Sequence, residues 1–215
     1  MKTHVERQQA QFRRFMSWVK REGGVEGPTL LRTMMKASQR ERVAWLAENT
    51  DGRILEVGCN WGYVLASVGG DAGLDISPTN VELARLLSPD TPFQLGDATS
   101  LPYPDMSFDT VMIPETLEHL DFPWGVQLAL YEACRVSRGR VLITVPDGAN
   151  DSDDATNFKH AWLADAESIE SVKGMLSEHT DEVSIERKAG FILIRADKGV
   201  GAYASSREDA TATKA

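Results

Sequence analysis

The stretch Ile54-Leu55-Glu56-Val57-Gly58-Cys59-Asn60-Trp61-Gly62-Tyr63-Val64-Leu65-Ala66 changes character twice. Together with Arg53, its first part (53–57) is a short, mostly apolar run bounded by the turn signal Asp51-Gly52, the pattern of a buried strand. From Gly62 to Gly69 the spacing is helical. Between the two, Gly58 and Gly62 permit a tight turn and close approach of the backbone to another group. A strand that turns straight into a helix points the first, unpartnered N–H groups of that helix beyond the end of the strand. This is the local form of a cofactor-holding turn.

Outward from this turn the alternation continues. Residues 72–76 (AGLDI) read as a strand, and Ser77-Pro78 caps and opens the helix that runs on through VELARLL. Residues 91–97 (TPFQLGD) and 108–114 (FDTVMIP) read as two further strands joined by the loop LPYPDMS. A helix over 124–136 and a fifth strand over 139–146 follow. Strands that alternate with helices imply a parallel sheet covered on both faces. The end differs: 164–176 looks helical, and EVSIERKAGFILIRADKG holds two strand-like runs around Lys188-Ala189-Gly190, the pattern of an antiparallel hairpin on a sheet edge. The expectation is a doubly wound α/β domain over 51–197, with the small, polar run 198–215 as a disordered tail.

Upstream, residues 6–21 read as a helix with Phe12, Phe15, Met16 and Val19 on one face. After REGGVEGP, a second helix opens at Pro28 and runs to about Ala47. Residues 1–50 are expected to pack as helices on the same domain, as a lid or cap.

The totals narrow the function classes. A chain of 215 residues with 42% apolar residues fits one domain with a real core. A formal net charge of -9 disfavours a nucleic-acid partner, because backbone phosphates attract basic surfaces. The two cysteines, Cys59 and Cys134, make no disulfide framework. No apolar signal core and no membrane-length apolar run is present, so the expected location is the cytoplasm with no membrane span.

In an open parallel sheet, ligands sit beyond the carboxyl ends of the strands. Here those ends carry Glu56, Gly58, Asn60 and Gly62 after the first strand, Asp75 after the second, and Asp97-Ala98 after the third. A carboxylate at Asp75 can accept ribose hydroxyls; Asp97 can accept from an adenine amino group while the Ala98 N–H donates to a ring nitrogen. A dinucleotide site needs Gly-x-Gly-x-x-Gly, and here Asn60 and Tyr63 occupy its second and third glycine positions. Glu56 just before the turn repels a diphosphate and suits a positively charged cofactor. No Walker loop is present.

These segments resemble the class I S-adenosylmethionine-dependent methyltransferases, of the small-molecule group that includes the ubiquinone-type O-methyltransferases. ILEVGCNWGYVLA resembles the first motif of that family, with Glu56, Gly58 and Gly62 matching and Asn60 standing where a middle glycine is usual. GLDIS resembles the second, LGDATSLPYPDMSFDTV the third, and MIPETLEHL the segment after the fourth strand. The likeness runs from Arg53 to Asp147, with a weaker echo at FKHAWLADAESIESVKGML. It implies a Rossmann-like, seven-stranded, mostly parallel sheet whose last strand is antiparallel. It also implies S-adenosylmethionine as cofactor and S-adenosylhomocysteine as product, with Asp75 at the ribose, Ile76 packed on adenine, and Asp97 and Ala98 at the adenine edge.

For the chemistry, the candidates follow the fourth strand: His119 as a general base, and Glu115 beside the donor, holding its amino group or lining the pocket. The favoured acceptor is a small molecule methylated on oxygen. Two readings stay open beside it. Glu115, Glu118, His119 and His160 have the chemistry of a divalent-metal set, as in metal-dependent RNA 2′-O-methyltransferases, although the favoured site holds no metal. A non-catalytic subunit that positions a partner is the other. A homodimer is compatible with the sequence.

Overall fold

A computed structural model describes residues 37–147 and 165–199. Its first helix, α1 (Ala37–Asn49), is the described part of the helix expected to open at Pro28. The expected helix 6–21, the remainder of the proposed cap and the expected tail lie outside the described residues, apart from Lys198 and Gly199.

After α1 the elements are β1 (Ile54–Val57), α2 (Tyr63–Val68), β2 (Ala72–Asp75), α3 (Pro78–Leu87) and β3 (Phe93–Leu95). They continue with β4 (Phe108–Pro114), a 3-10 turn at Leu117–His119, α4 (Trp124–Val136), β5 (Ser137–Pro146), α5 (Ala166–Ser177), β6 (Glu182–Lys188) and β7 (Phe191–Asp197). The seven strands form one sheet in the order β3-β2-β1-β4-β5-β7-β6. β1 to β5 pair in parallel, and β7 runs antiparallel to both β5 and β6. This is the Rossmann-like methyltransferase fold, with the terminal hairpin where the sequence places it. The third strand is shorter than expected: it stops at Leu95, and the chain turns at Ala98 and Thr99 to make an isolated bridge between Asp97 and Ser100.

The central strands are buried along their length, as an apolar run covered on both faces must be. Because side chains alternate across a strand, neighbouring residues enter different cores. Leu55, Val111, Ile143 and Ile192 pack under α4 and α5, whereas Ile54, Met112, Leu142 and Leu193 pack under α1, α2 and α3. The helix ends follow local chemistry. Ser77 Oγ accepts the Asn80 N–H at 3.3 Å with Pro78 in the first turn, and Asp165 accepts the Ser168 N–H at 2.8 Å. α2 is bounded by Gly62 and Gly69, both left-handed, and the Gly69 N–H closes on the Leu65 carbonyl. Among the described residues no helix is long and apolar enough to cross a membrane.

Candidate active site

The strand order reverses between β1 and β4, so the crevice lies at their carboxyl ends. The chain leaves β1 through Gly58 (φ +74), Asn60 (φ +49) and Gly62 (φ +76), three left-handed residues in five. The turn is held by hydrogen bonds from Gly58 N and Cys59 N to Leu74 O (2.7 and 2.9 Å) and from Gly62 N to Cys59 O (2.7 Å). Asparagine tolerates the left-handed region far better than most residues with a side chain. Asn60 can therefore stand where the family pattern has glycine. Its N–H is pinned by Asp75 Oδ2 at 2.7 Å.

Asp75, buried at the end of β2, also accepts from Ser77 N at 2.9 Å and Asn80 Nδ2 at 3.1 Å. A carboxylate has about four acceptor sites, so these three bonds leave room for about one further donor. Next to it Ile76 is 69% exposed, and Leu95, at the end of the adjacent β3, is 51% exposed. The strand ends β2 and β3 thus present exposed apolar side chains beside a nearly filled carboxylate, surroundings that fit a nucleoside. Ala98 is buried, while Asp97 is exposed and folds its Oδ1 back on the N–H and hydroxyl of Thr99, both at 2.8 Å.

Glu56 lies in β1 beneath the turn, one residue before the strand's final Val57. It is buried, and its Oε2 accepts the Leu65 N–H at 2.7 Å in the first turn of α2. Burial pushes its carboxyl up to about 8, against the opposing pull of that hydrogen bond and of Arg42. At neutral pH it is mainly a protonated acid serving the helix end.

Glu115, the first residue after β4, has φ +48, and its N–H donates to Thr144 O at 2.7 Å. Its Oε1 meets Arg42 Nη1 of α1 at 2.7 Å. Arg42 is 1% exposed; its guanidinium also lies 3.3 Å from Thr144 Oγ1 and from Tyr63 OH, and 5.1 Å from the centroid of the Phe191 ring. Burial works against its charge, but Glu115, Tyr63 and Glu56 more than offset it, and its pKa is raised. Glu118 is buried behind Glu115, and its Oε2 has no hydrogen-bond partner. Burial, then the charge of Glu115, pushes its carboxyl up to about 8. His119 is exposed on the 3-10 turn. Of the residues weighed for a metal, His160 lies outside the described residues, and among the described residues no three His, Cys, Asp or Glu side chains could hold a metal ion together.

Thr116 ties the two halves of the crevice together. Its Oγ1 bonds to Pro114 O at 3.1 Å and to Val57 O at 3.4 Å, and a side chain at Gly58 would collide with it. Sequence reading missed Thr116, Arg42 and Thr144. Thr116 and Thr144 carry no local signal. Arg42 does: with Trp45, Leu46 and Asn49 it falls at i, i+3, i+4, i+7 on α1, a charged residue on the helix's inward face.

A doubly wound sheet of this order, with a glycine turn after β1 and an acidic residue closing β2, has the architecture of the class I S-adenosylmethionine-dependent methyltransferase fold. Residues 55–143 match the family described as methyltransferase domain. The chain is 35% identical over 124 residues to 27-O-demethylrifamycin SV methyltransferase of Amycolatopsis mediterranei, covering 50% of this chain and 44% of that protein. It is 34% identical over 109 residues to a probable S-adenosylmethionine-dependent methyltransferase of Mycolicibacterium smegmatis, covering 47% and 41%. The chain thus spans less than half the length of these curated relatives. In fold it is similar to magnesium protoporphyrin IX methyltransferase of Synechocystis with bound S-adenosylhomocysteine, with a TM-score of 0.57 and 17% identity over 75% of this chain and 83% of that one.

Proposed function

We propose that the protein transfers the methyl group of S-adenosylmethionine to a small molecule, with oxygen the favoured acceptor atom. The observation that carries the cofactor side is the bond from Asn60 N–H to Asp75, which locks the turn after β1 to the acid after β2. Support for oxygen comes from the rifamycin relative, whose name describes an O-methyltransferase.

In this reading Gly58, Asn60 and Gly62 present the turn backbone to the methionine part of the cofactor, with Glu56 beneath it supporting the start of α2. Asp75 takes a ribose hydroxyl in its remaining acceptor position, Ile76 packs on the adenine, and Asp97 and Ala98 meet the adenine edge. Bound there, the cofactor supplies an electrophilic methyl group on a sulfonium. Glu115 is held as an acceptor for the cofactor's amino group by its pairing with Arg42. Glu118, buried and protonated at neutral pH, is poorly suited as a base. His119, exposed on the neighbouring turn, remains the residue to take a proton from a hydroxyl acceptor.

Titration calorimetry with S-adenosylhomocysteine tests the cofactor side, and absence of binding refutes it. Transfer of a labelled methyl group to a panel of hydroxylated and aminated small molecules tests the acceptor side. Turnover only on amines refutes the oxygen assignment. With a hydroxyl acceptor, His119→Asn is expected to lower kcat by about 100-fold or more while leaving binding of S-adenosylhomocysteine unchanged.

A further inference from the structure

The guanidinium of Arg42 joins elements that are far apart in the chain. Arg42 comes from α1, 21 residues before Tyr63 and 102 before Thr144. Tyr63 is the first residue of α2 and so marks the exit of the cofactor turn. Glu115 is the first residue after β4 and so starts the loop on the acceptor side. Arg42 therefore touches both banks of the crevice while itself being 1% exposed.

A buried guanidinium that spans two partners has a geometric effect. Its planar fork fixes the direction of each hydrogen bond, which an ammonium on a flexible stem does not. Glu115 holds a left-handed backbone, a conformation that glutamate adopts only when its surroundings impose it. The 2.7 Å ion pair to Arg42 and the 2.7 Å bond from Glu115 N–H to Thr144 O together impose it. Without Arg42, the Glu115 carboxylate loses the 2.7 Å ion pair that aims it, and the loop is held less firmly in its present arrangement. Thr116, which fills the space beside Gly58, follows directly in the chain, so movement at Glu115 reaches the cofactor turn through one residue.

We propose that Arg42 is a positioning residue of the methyl-transfer site: by gripping Glu115 and Tyr63 at once, it sets the spacing between the acceptor-side loop and the cofactor turn. The proposal rests on the reading of the crevice as the site of S-adenosylmethionine. It gives α1 a part in shaping the cofactor site through Glu115 and Tyr63, beyond its packing on the sheet.

The test is a double-mutant cycle read on binding of S-adenosylhomocysteine, with thermal stability measured on the same samples. Arg42→Met is expected to weaken binding about tenfold or more, and Glu115→Gln to weaken it as well. The double variant is expected to bind no worse than the weaker single variant, a coupling of about tenfold or more. Arg42→Lys keeps the charge but loses the fork, and is expected to recover only part of the affinity. If Arg42→Met lowers the melting temperature but leaves affinity unchanged, or if the two substitutions are additive in affinity, Arg42 is merely structural and the proposal is overturned. If the wild-type protein fails to bind S-adenosylhomocysteine, the cofactor reading and this proposal fall together. An unaltered wild-type affinity with a flat cycle removes the proposal alone.

Discussion

The two halves of the sheet are built differently. β1, β2 and β3 have four, four and three residues, while β4, β5, β6 and β7 have seven, ten, seven and seven. The short half ends in left-handed turns, backbone N–H groups aimed at carboxylates, and exposed Ile76 and Leu95. The long half is a continuous ladder from Pro114↔Thr144 through Arg140↔Asp197 to the terminal hairpin. The buried positions of its interior strands are mostly apolar. Strand length is thus largely divided between tasks: long strands secure the fold through burial, and short strands give their chain to loops that can meet a ligand, the loop after β4 with Glu115 being the exception in the long half. Mutations should separate the two tasks.

The largest expected effect is at the turn. Gly58→Ala places a methyl group against Thr116 at a φ of +74, which strains the backbone and pushes the acceptor-side loop away. Loss of S-adenosylhomocysteine binding by about 100-fold or more is expected in calorimetry, with the far-UV circular dichroism spectrum retained. In the long half, Ile143→Ala should do the reverse. Ile143 is fully buried between β4 and β7, and its truncation is expected to cost about 2–5 kcal/mol in denaturant unfolding with little change in affinity. Equal effects on binding and stability for both variants would erase the division.

A smaller and more diagnostic effect is expected from pH. Glu56 and Glu118 have carboxyls pushed from 4.5 up to about 8 by burial. Between these values the folded protein holds protons that the unfolded chain releases, so stability falls as pH rises from about 4.5 to about 8 and levels off above. Glu118→Gln replaces the protonated acid by a neutral amide and is expected to flatten part of that slope. Thermal melts from pH 5 to pH 9 check it, and an unchanged slope shows that Glu118 does not titrate in this range. The smallest effect is at Asn60→Gly, expected to fall within about 0.5 kcal/mol because glycine enters the same left-handed conformation freely.

Most of this architecture was written in local patterns. The boundaries of β4 and α4 coincide with runs visible by eye, FDTVMIP and WGVQLALYEACRV, because a strand buried on both faces and an amphipathic helix have distinct periodicities. The Ser77-Pro78 start of α3 and the turn at Gly190 are equally local. The strand ends Glu56, Asp75 and Asp97 were legible as a set because topology lines them up. What each carboxylate does was not legible. Nothing in the spacing shows that Glu56 would serve Leu65, that Asp75 would spend three acceptor sites on the protein, or that Asp97 would bond to Thr99. Those bonds depend on side-chain directions fixed only after packing. For Arg42 the burial was legible from its place on the inward face of α1, but its partners were not, since Tyr63, Glu115 and Thr144 are brought to it by three different elements.

The fit between Thr116 and the bare α-carbon of Gly58 also bears on descent. One position can carry a branched hydroxyl residue only while the other carries no side chain. Gly58 therefore cannot gain a side chain unless Thr116 changes with it. In an alignment of relatives that keep this turn, an alanine in the place of Gly58 should be accompanied by a glycine or serine in the place of Thr116. The acceptor-side loop, free to diversify elsewhere along its length, is tied at this one residue to the history of the cofactor turn.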